Sequence, residues 1–136
     1  MAPEEKEVNP VVSGAGASAD PRRVLGNRGE DIAARFFAER GFEIMDRNWR
    51  CRYGEIDIVV RKGDDIRVVE VKTRKSLRAG RPEESVTDEK LQRLEDLAHC
   101  YFNERDISDP AYHIDVLSIT IRQDGGICID HLPDIG

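Results

Sequence analysis

Asp57, Glu70 and Lys72 sit on two stretches that read as neighbouring strands, GEIDIVVR from Gly54 to Arg61 and DIRVVEVKT from Asp65 to Thr73. In the first, Ile56, Ile58 and Val60 are expected on one face and Glu55, Asp57 and Val59 on the other. Between the two stretches, Lys62-Gly63-Asp64-Asp65 is a turn. With Gly63-Asp64 as a two-residue loop, glycine first, antiparallel partners have numbers summing to 127. That register sets Asp57 opposite Glu70 and Glu55 opposite Lys72. Val59 meets Val68 on the same face, and Ile58 meets Val69 on a nearly all-aliphatic one. Two carboxylates so placed stand roughly 5 Å apart at Cβ and repel. Lys72 offsets part of the repulsion, and a divalent cation would offset more. Hard cations such as Mg²⁺ or Mn²⁺ take oxygen ligands, one or two carboxylates together with water and substrate phosphate. The competing reading is an exposed strand face whose Glu and Lys keep the sheet soluble.

The elements that must position these groups follow from period and punctuation. A first helix is expected from near Asn27 to Arg40, its apolar face made by Ile32, Ala33, Phe36 and Phe37, with Gly41 as its stop. On a helical wheel Glu30 falls beside Ala33, Ala34 and Phe37, at the edge of the core-facing stripe. Phe42 to Trp49 reads as a strand. A second helix runs from about Thr87, a suitable N-cap, to Asn103. Its face is Leu91, Leu94, Leu97, Ala98, Tyr101 and Phe102. Tyr112 to Arg122 and Ile127 to Leu132 are the last strands, joined by Gln123-Asp124-Gly125-Gly126. The order α-β-β-β-α-β-β gives an α/β (α+β) domain, a mixed sheet of about five strands with helices packed on it. Residues 1 to 22, rich in Pro, Ala, Gly, Ser and Glu, are expected to be a disordered tail, and 23 to 136 a single domain.

Composition narrows the classes. No apolar run is long enough to cross a membrane, and the N-terminus lacks a secretory pattern, so a cytoplasmic location is expected. Cys51, Cys100 and Cys128 form no CxxC pair, which argues against a disulfide framework and a zinc knuckle. His99, His113 and His131 are scattered and read as surface or satisfied histidines. The net charge is −6, yet from Arg47 to Arg81 eleven Lys/Arg face five Asp/Glu, a local +6. A basic segment within an acidic protein can still hold phosphates, because screening confines each charge to its neighbourhood. A solvated, salt-bridged surface is the alternative. Trp49 and Tyr53 flank this stretch and could stack on bases, although packing is the better reading for both. Lys90, one residue off the apolar stripe on the first turn of the second helix, could reach the site or be a surface lysine, the latter slightly preferred, and Asp115 reads as a buried hydrogen-bonded acid.

Taken in order, Gly26-Asn-Arg-Gly-Glu30, Gly54-Glu-Ile-Asp57 and Val69-Glu-Val-Lys-Thr-Arg74 resemble the YraN-like family of predicted endonucleases, in the PD-(D/E)xK nuclease-like superfamily close to archaeal Holliday-junction resolvases. Asn48, Pro82, Lys90 and Asp115 also match the family pattern. The resemblance implies a restriction-endonuclease-like core and metal-assisted phosphodiester hydrolysis. Asp57 and Glu70, with Glu30 and the backbone carbonyl of Val71, would hold Mg²⁺ or Mn²⁺, and Lys72 would act beside them. Ile56 stands where the superfamily has a proline that is not a ligand. Arg74, Lys75, Arg78 and Arg81, with Arg50 and Arg52, are candidate grips on the nucleic-acid backbone; solvated loop charges compete with that reading. DNA, branched DNA included, is the implied partner, and resolvase-like relatives suggest a homodimer. A non-catalytic nucleic-acid-binding module and a protein-interaction domain remain open beside the endonuclease.

Overall fold

The computed structural model describes residues 21–75 and 86–135, with no side-chain description for 21 and 22. Seven elements follow one another: α1 Pro21–Glu39, β1 Glu43–Cys51, β2 Gly54–Lys62, β3 Asp65–Arg74, α2 Asp88–Glu104, β4 Tyr112–Ile121 and β5 Ile127–Leu132. The expected order holds. The strands form one mixed sheet in the order β1-β2-β3-β4-β5, antiparallel except for the β3–β4 pair, which the α2 crossover makes parallel. Helix α1 begins at Pro21, six residues before the expected start near Asn27. The short, polar first turns carry little apolar periodicity, so the pattern alone hid them. The expected tail, residues 1 to 22, falls mostly outside the described residues.

Each helix covers one face of the sheet. Ala33 and Phe37 of α1 pack on Ile58, Val60, Val69, Leu117 and Ile119. Leu94, Leu97, Ala98, Tyr101 and Phe102 of α2 pack on Trp49, Ile56, Val59, Val68 and Ile114. Helix α1 ends with Phe42 N–H on the Phe37 carbonyl and Gly41 N–H on that of Ala38, both at 3.0 Å, a Schellman stop. At the start of α2 the Thr87 hydroxyl accepts the Lys90 N–H at 3.1 Å, as its N-cap role requires. No helix among the described residues is long and apolar enough to cross a membrane.

The β2–β3 hairpin has the expected register: Lys62 pairs with Asp65, Val59 with Val68 and Ile58 with Val69. Gly63 adopts φ 61°, which a turn with glycine first needs. The ladder then stops. Asp57 and Glu70 are not ladder partners, and Asp57 instead accepts the N–H of Val71 at 2.8 Å. Strict alternation also fails here. Ile58 and Val60 face α1, whereas Ile56 packs with Trp49 on the α2 side. The neighbouring strand β1 is irregular at the same level: Asn48, between the Arg47↔Ile58 and Trp49↔Ile56 pairs, has φ 52°. The strand turns over at Asp57.

Candidate functional site

The turn-over at Asp57 opens a fork between β2 and β3, and four elements supply side chains to it. Glu70 and Lys72 come from β3 and Lys90 from the first turn of α2, fixed by the Thr87 cap. Glu30 comes from α1. Gly29 explains how α1 gets close enough. A Cβ at this position would meet the Thr73 side chain of β3, 1.8 Å from Oγ1 and 2.9 Å from Cβ. Only a residue without a side chain lets the helix lie on the strand and leaves Glu30 beside the fork.

The electrostatics of the fork are unbalanced. Burial, then the charge of Glu70, then those of Glu30 and Glu55 push the Asp57 carboxyl up from 3.8 to about 7, against the pull of the Val71 N–H. Burial also raises Glu30, although Asn48 hydrogen-bonds its carboxylate and Arg47 lies near. The second oxygen of Glu30, Oε1, is buried with no hydrogen-bond partner among the described residues. Glu70 is held by cations: Lys90 Nζ lies 2.7 Å and Lys72 Nζ 3.8 Å from its Oε2. Burial and the neighbouring Lys90 lower the Lys72 pKa. Burial is the largest single effect on Lys90 and pulls it down, but the hydrogen bond and charge of Glu70 together with the contact to Lys72 outweigh it and raise its pKa.

The donor set suits a hard divalent cation: carboxylate oxygens from three elements, one of them orphaned in the interior and another held partly protonated by its neighbours. Among the described residues no three such side chains already converge as a ready-made cluster. Glu70 is turned to Lys90, so cation binding requires the Glu70–Lys90 pair to rearrange. A separate hollow of about 440 Å³, lined by His99, Phe102 and Tyr112 among others, contains none of these residues.

Asp57, Glu70, Lys72 and Glu30 thus lie near one another, and of the two readings of Lys90 the geometry favours reach into the site. Lys90 is not a surface lysine but the closest partner of Glu70. Its N3 position behind the Thr87 cap was the available signal. Asn48 was seen only as a family match. Of the candidate phosphate grips, Arg74 is half-buried at the end of β3 and Lys75 is exposed after it. Arg50 is exposed and lies 3.6 Å from Glu55, and Arg52 is exposed beside it. Arg78 and Arg81 lie outside the described residues, as does Pro82. Trp49 is buried, as expected, and its indole N–H reaches Glu104 at 3.3 Å. Tyr53 departs from the packing reading, since it is 58% exposed. The cysteines are free. Of the histidines, His131 and His113 sit against the carboxylates of Asp115 and Asp134.

The family model described as "Uncharacterised protein family UPF0102" matches residues 29–119. A UPF0102 protein of Nocardioides sp. is 43% identical over 120 residues, covering 88% of this chain and 97% of that protein. Relatives from Arthrobacter sp. and Rhodococcus opacus are 42% and 44% identical over 113 and 110 residues, covering 83% and 81% of this chain and 96% and 93% of theirs. Among solved structures, Pyrococcus furiosus SfsA in complex with Ca²⁺ aligns with a TM-score of 0.41 and 15% identity, over 82% of this chain and 64% of that one. The chain belongs to the UPF0102 family, the YraN-like group that its motifs resemble.

Proposed function

We propose that this protein is a cytoplasmic, metal-dependent endonuclease that hydrolyses phosphodiester bonds in DNA, with branched or structured DNA as its preferred substrate. The observation that carries the reading is the charge imbalance at the fork. Asp57 is repelled by both Glu70 and Glu30, Glu30 keeps a buried oxygen without a hydrogen-bond partner among the described residues, and lysines stand beside Glu70. Such an arrangement costs folding energy unless it is used. Asp57, Glu70 and Glu30, with the Val71 carbonyl, are the oxygen donors for Mg²⁺ or Mn²⁺. When bound, the cation would acidify a coordinated water and offset charge on the phosphate oxygens. Lys72, its pKa lowered, orients the attacking water or neutralises charge that builds on the phosphoryl group. Lys90 restrains Glu70 until the donors are recruited. Arg50, Arg52, Arg74, Lys75, Arg78 and Arg81 hold the backbone without reading sequence. A homodimer would match the two-fold symmetry of a junction.

The test has two parts. Mn²⁺ should raise the melting temperature of the wild type and fail to do so for Asp57→Asn, because a ligand that binds only the folded state stabilises it. Nicking of linear, single-stranded and branched DNA should require Mg²⁺ or Mn²⁺ and disappear in Glu70→Gln and Lys72→Ala. Equal melting shifts in wild type and Asp57→Asn, or nicking that survives those substitutions, would sink the reading. The 2.7 Å Glu70–Lys90 pair favours one rival, a non-catalytic nucleic-acid-binding module on the same fold. Tight DNA binding with no metal response would select it.

A further inference from the structure

Three hairpin tips join strands of this sheet, and two are built from turn chemistry. The β2–β3 tip is Gly63-Asp64. In the β4–β5 turn the Asp124 carboxylate accepts the Gly126 N–H at 2.8 Å and Gly125 takes φ 89°. The third is different. Cys51 pairs with Gly54, so the β1–β2 tip is Arg52-Tyr53, two bulky residues where glycine, asparagine or aspartate is the usual choice. Packing does not explain them. Tyr101 is fully buried and Tyr112 half-buried, whereas Tyr53 keeps 58% of its surface in water. The Arg52 guanidinium carbon lies 5.2 Å from the centre of the Tyr53 ring. Arg50, with a side chain 74% exposed, stands just before them on β1. Asp57 lies four residues beyond Tyr53 on β2, and the antiparallel order brings the tip to the sheet end where β3 carries Lys72 and is followed by Lys75.

An aromatic ring backed by a guanidinium, flanked by a second arginine and set on a rigid hairpin beside the fork, has the chemistry of a base-stacking platform. We propose that Tyr53, supported by Arg52, stacks on a nucleobase that lies outside a duplex, so that the protein engages DNA where a base is unpaired. This rests on the nuclease reading above and names the feature of the substrate that the site would select. A base within a duplex has both faces covered by its neighbours, whereas an unpaired one offers a face to the ring without the cost of unstacking.

The experiment uses the full chain in EDTA, so that nothing is cleaved, and two DNA duplexes that differ only in whether a single 2-aminopurine is bulged or paired. Wild type should bind the bulged duplex more tightly and change the 2-aminopurine fluorescence. Tyr53→Ala should lose about ten-fold or more on the bulged duplex, remain within about two-fold on the paired one, and lose the fluorescence change, while Tyr53→Phe keeps all three. Equal wild-type affinity for both duplexes, or an equal loss on both in Tyr53→Ala, overturns the proposal and leaves the nuclease reading standing. Failure of wild type to bind either duplex also overturns the proposal, and the metal-dependent nicking assay then judges the nuclease reading by itself. Tyr53 belongs to neither core cluster of the described residues, so Tyr53→Ala should melt with the wild type, and a shared melting curve shows that the comparison is between folded proteins.

Discussion

Asp57 and Asp115 are acids withdrawn from water on the same sheet, and the protein treats them in opposite ways. Asp115 is 0% exposed. It takes Arg67 Nη1 at 3.1 Å, His131 Nε2 at 2.8 Å and the Asp134 N–H at 2.9 Å, so cationic and neutral donors surround it. Asp57 receives one backbone N–H, and Glu70, Glu30 and Glu55 oppose its charge while Lys72 partly offsets them. A charge that serves the fold is neutralised from within the chain. At Asp57 the chain supplies more negative charge than Lys72 offsets. The comparison sets a structural acid against the one that the proposed function would use.

The largest effect should come from the structural acid. Asp115→Ala strands Arg67 and His131 without their buried acceptor and frees the chain end at Asp134. It should cost about 3–5 kcal/mol, read as a drop in the urea midpoint. Asp57→Asn should do the reverse in metal-free protein. The unfolded carboxyl titrates near 3.8 and the folded one near 7. Between these values the folded state keeps a proton that the unfolded state has released, so wild-type stability falls as pH rises from about 4 to about 7. Above that window the penalty is complete, bounded by roughly 4 kcal/mol. Asn keeps an oxygen for the Val71 N–H and carries no charge. At pH 8 the Asp57→Asn protein should therefore melt above wild type, and the gap should shrink towards pH 4. A destabilised Asp57→Asn would place Asp57 with Asp115 as a structural acid and dissolve the contrast.

The difference between the two acids also marks what could be read in the sequence. Asp115 sits in a run of apolar residues, where a lone acid must find partners, so its burial was legible although Arg67 and His131 were not. The hairpin register was legible because a slip of one residue would bury carboxylates in the aliphatic face. The fork was not. It forms where Asn48 adopts φ 52° and the strand turns over at Asp57, and no local pattern encodes a break in alternation that arises between two strands. The slight preference for a surface Lys90 has a related cause. Helical period sets it one residue off the apolar stripe and leaves both readings open, and a four-carbon side chain on a capped first turn reaches past the helix edge to β3.

The two smallest effects test whether burial, and not distance, sets the energy of an ion pair in this molecule. Glu70–Lys90 and Asp31–Arg47 are both 2.7 Å pairs that tie a helix to a strand. The first joins side chains only 16% and 20% exposed, within the fork, and the second joins a side chain 69% exposed to one 36% exposed. Lys90→Gln should cost about 1–2 kcal/mol in metal-free protein, because Glu70 then faces Asp57 with only the more distant Lys72 to offset it. Glu70→Gln added to Lys90→Gln should recover part of that loss, since the repelling charge is gone. Arg47→Ala should change stability by no more than a few tenths of a kcal/mol, and what effect there is should vanish in high salt, because water and counter-ions already screen Asp31. Were the two pairs to prove equal in a urea titration at low and high salt, the fork would be as wet as the outer face of α1. The raised Asp57 would then lose its cause, since desolvation is the largest contribution to it.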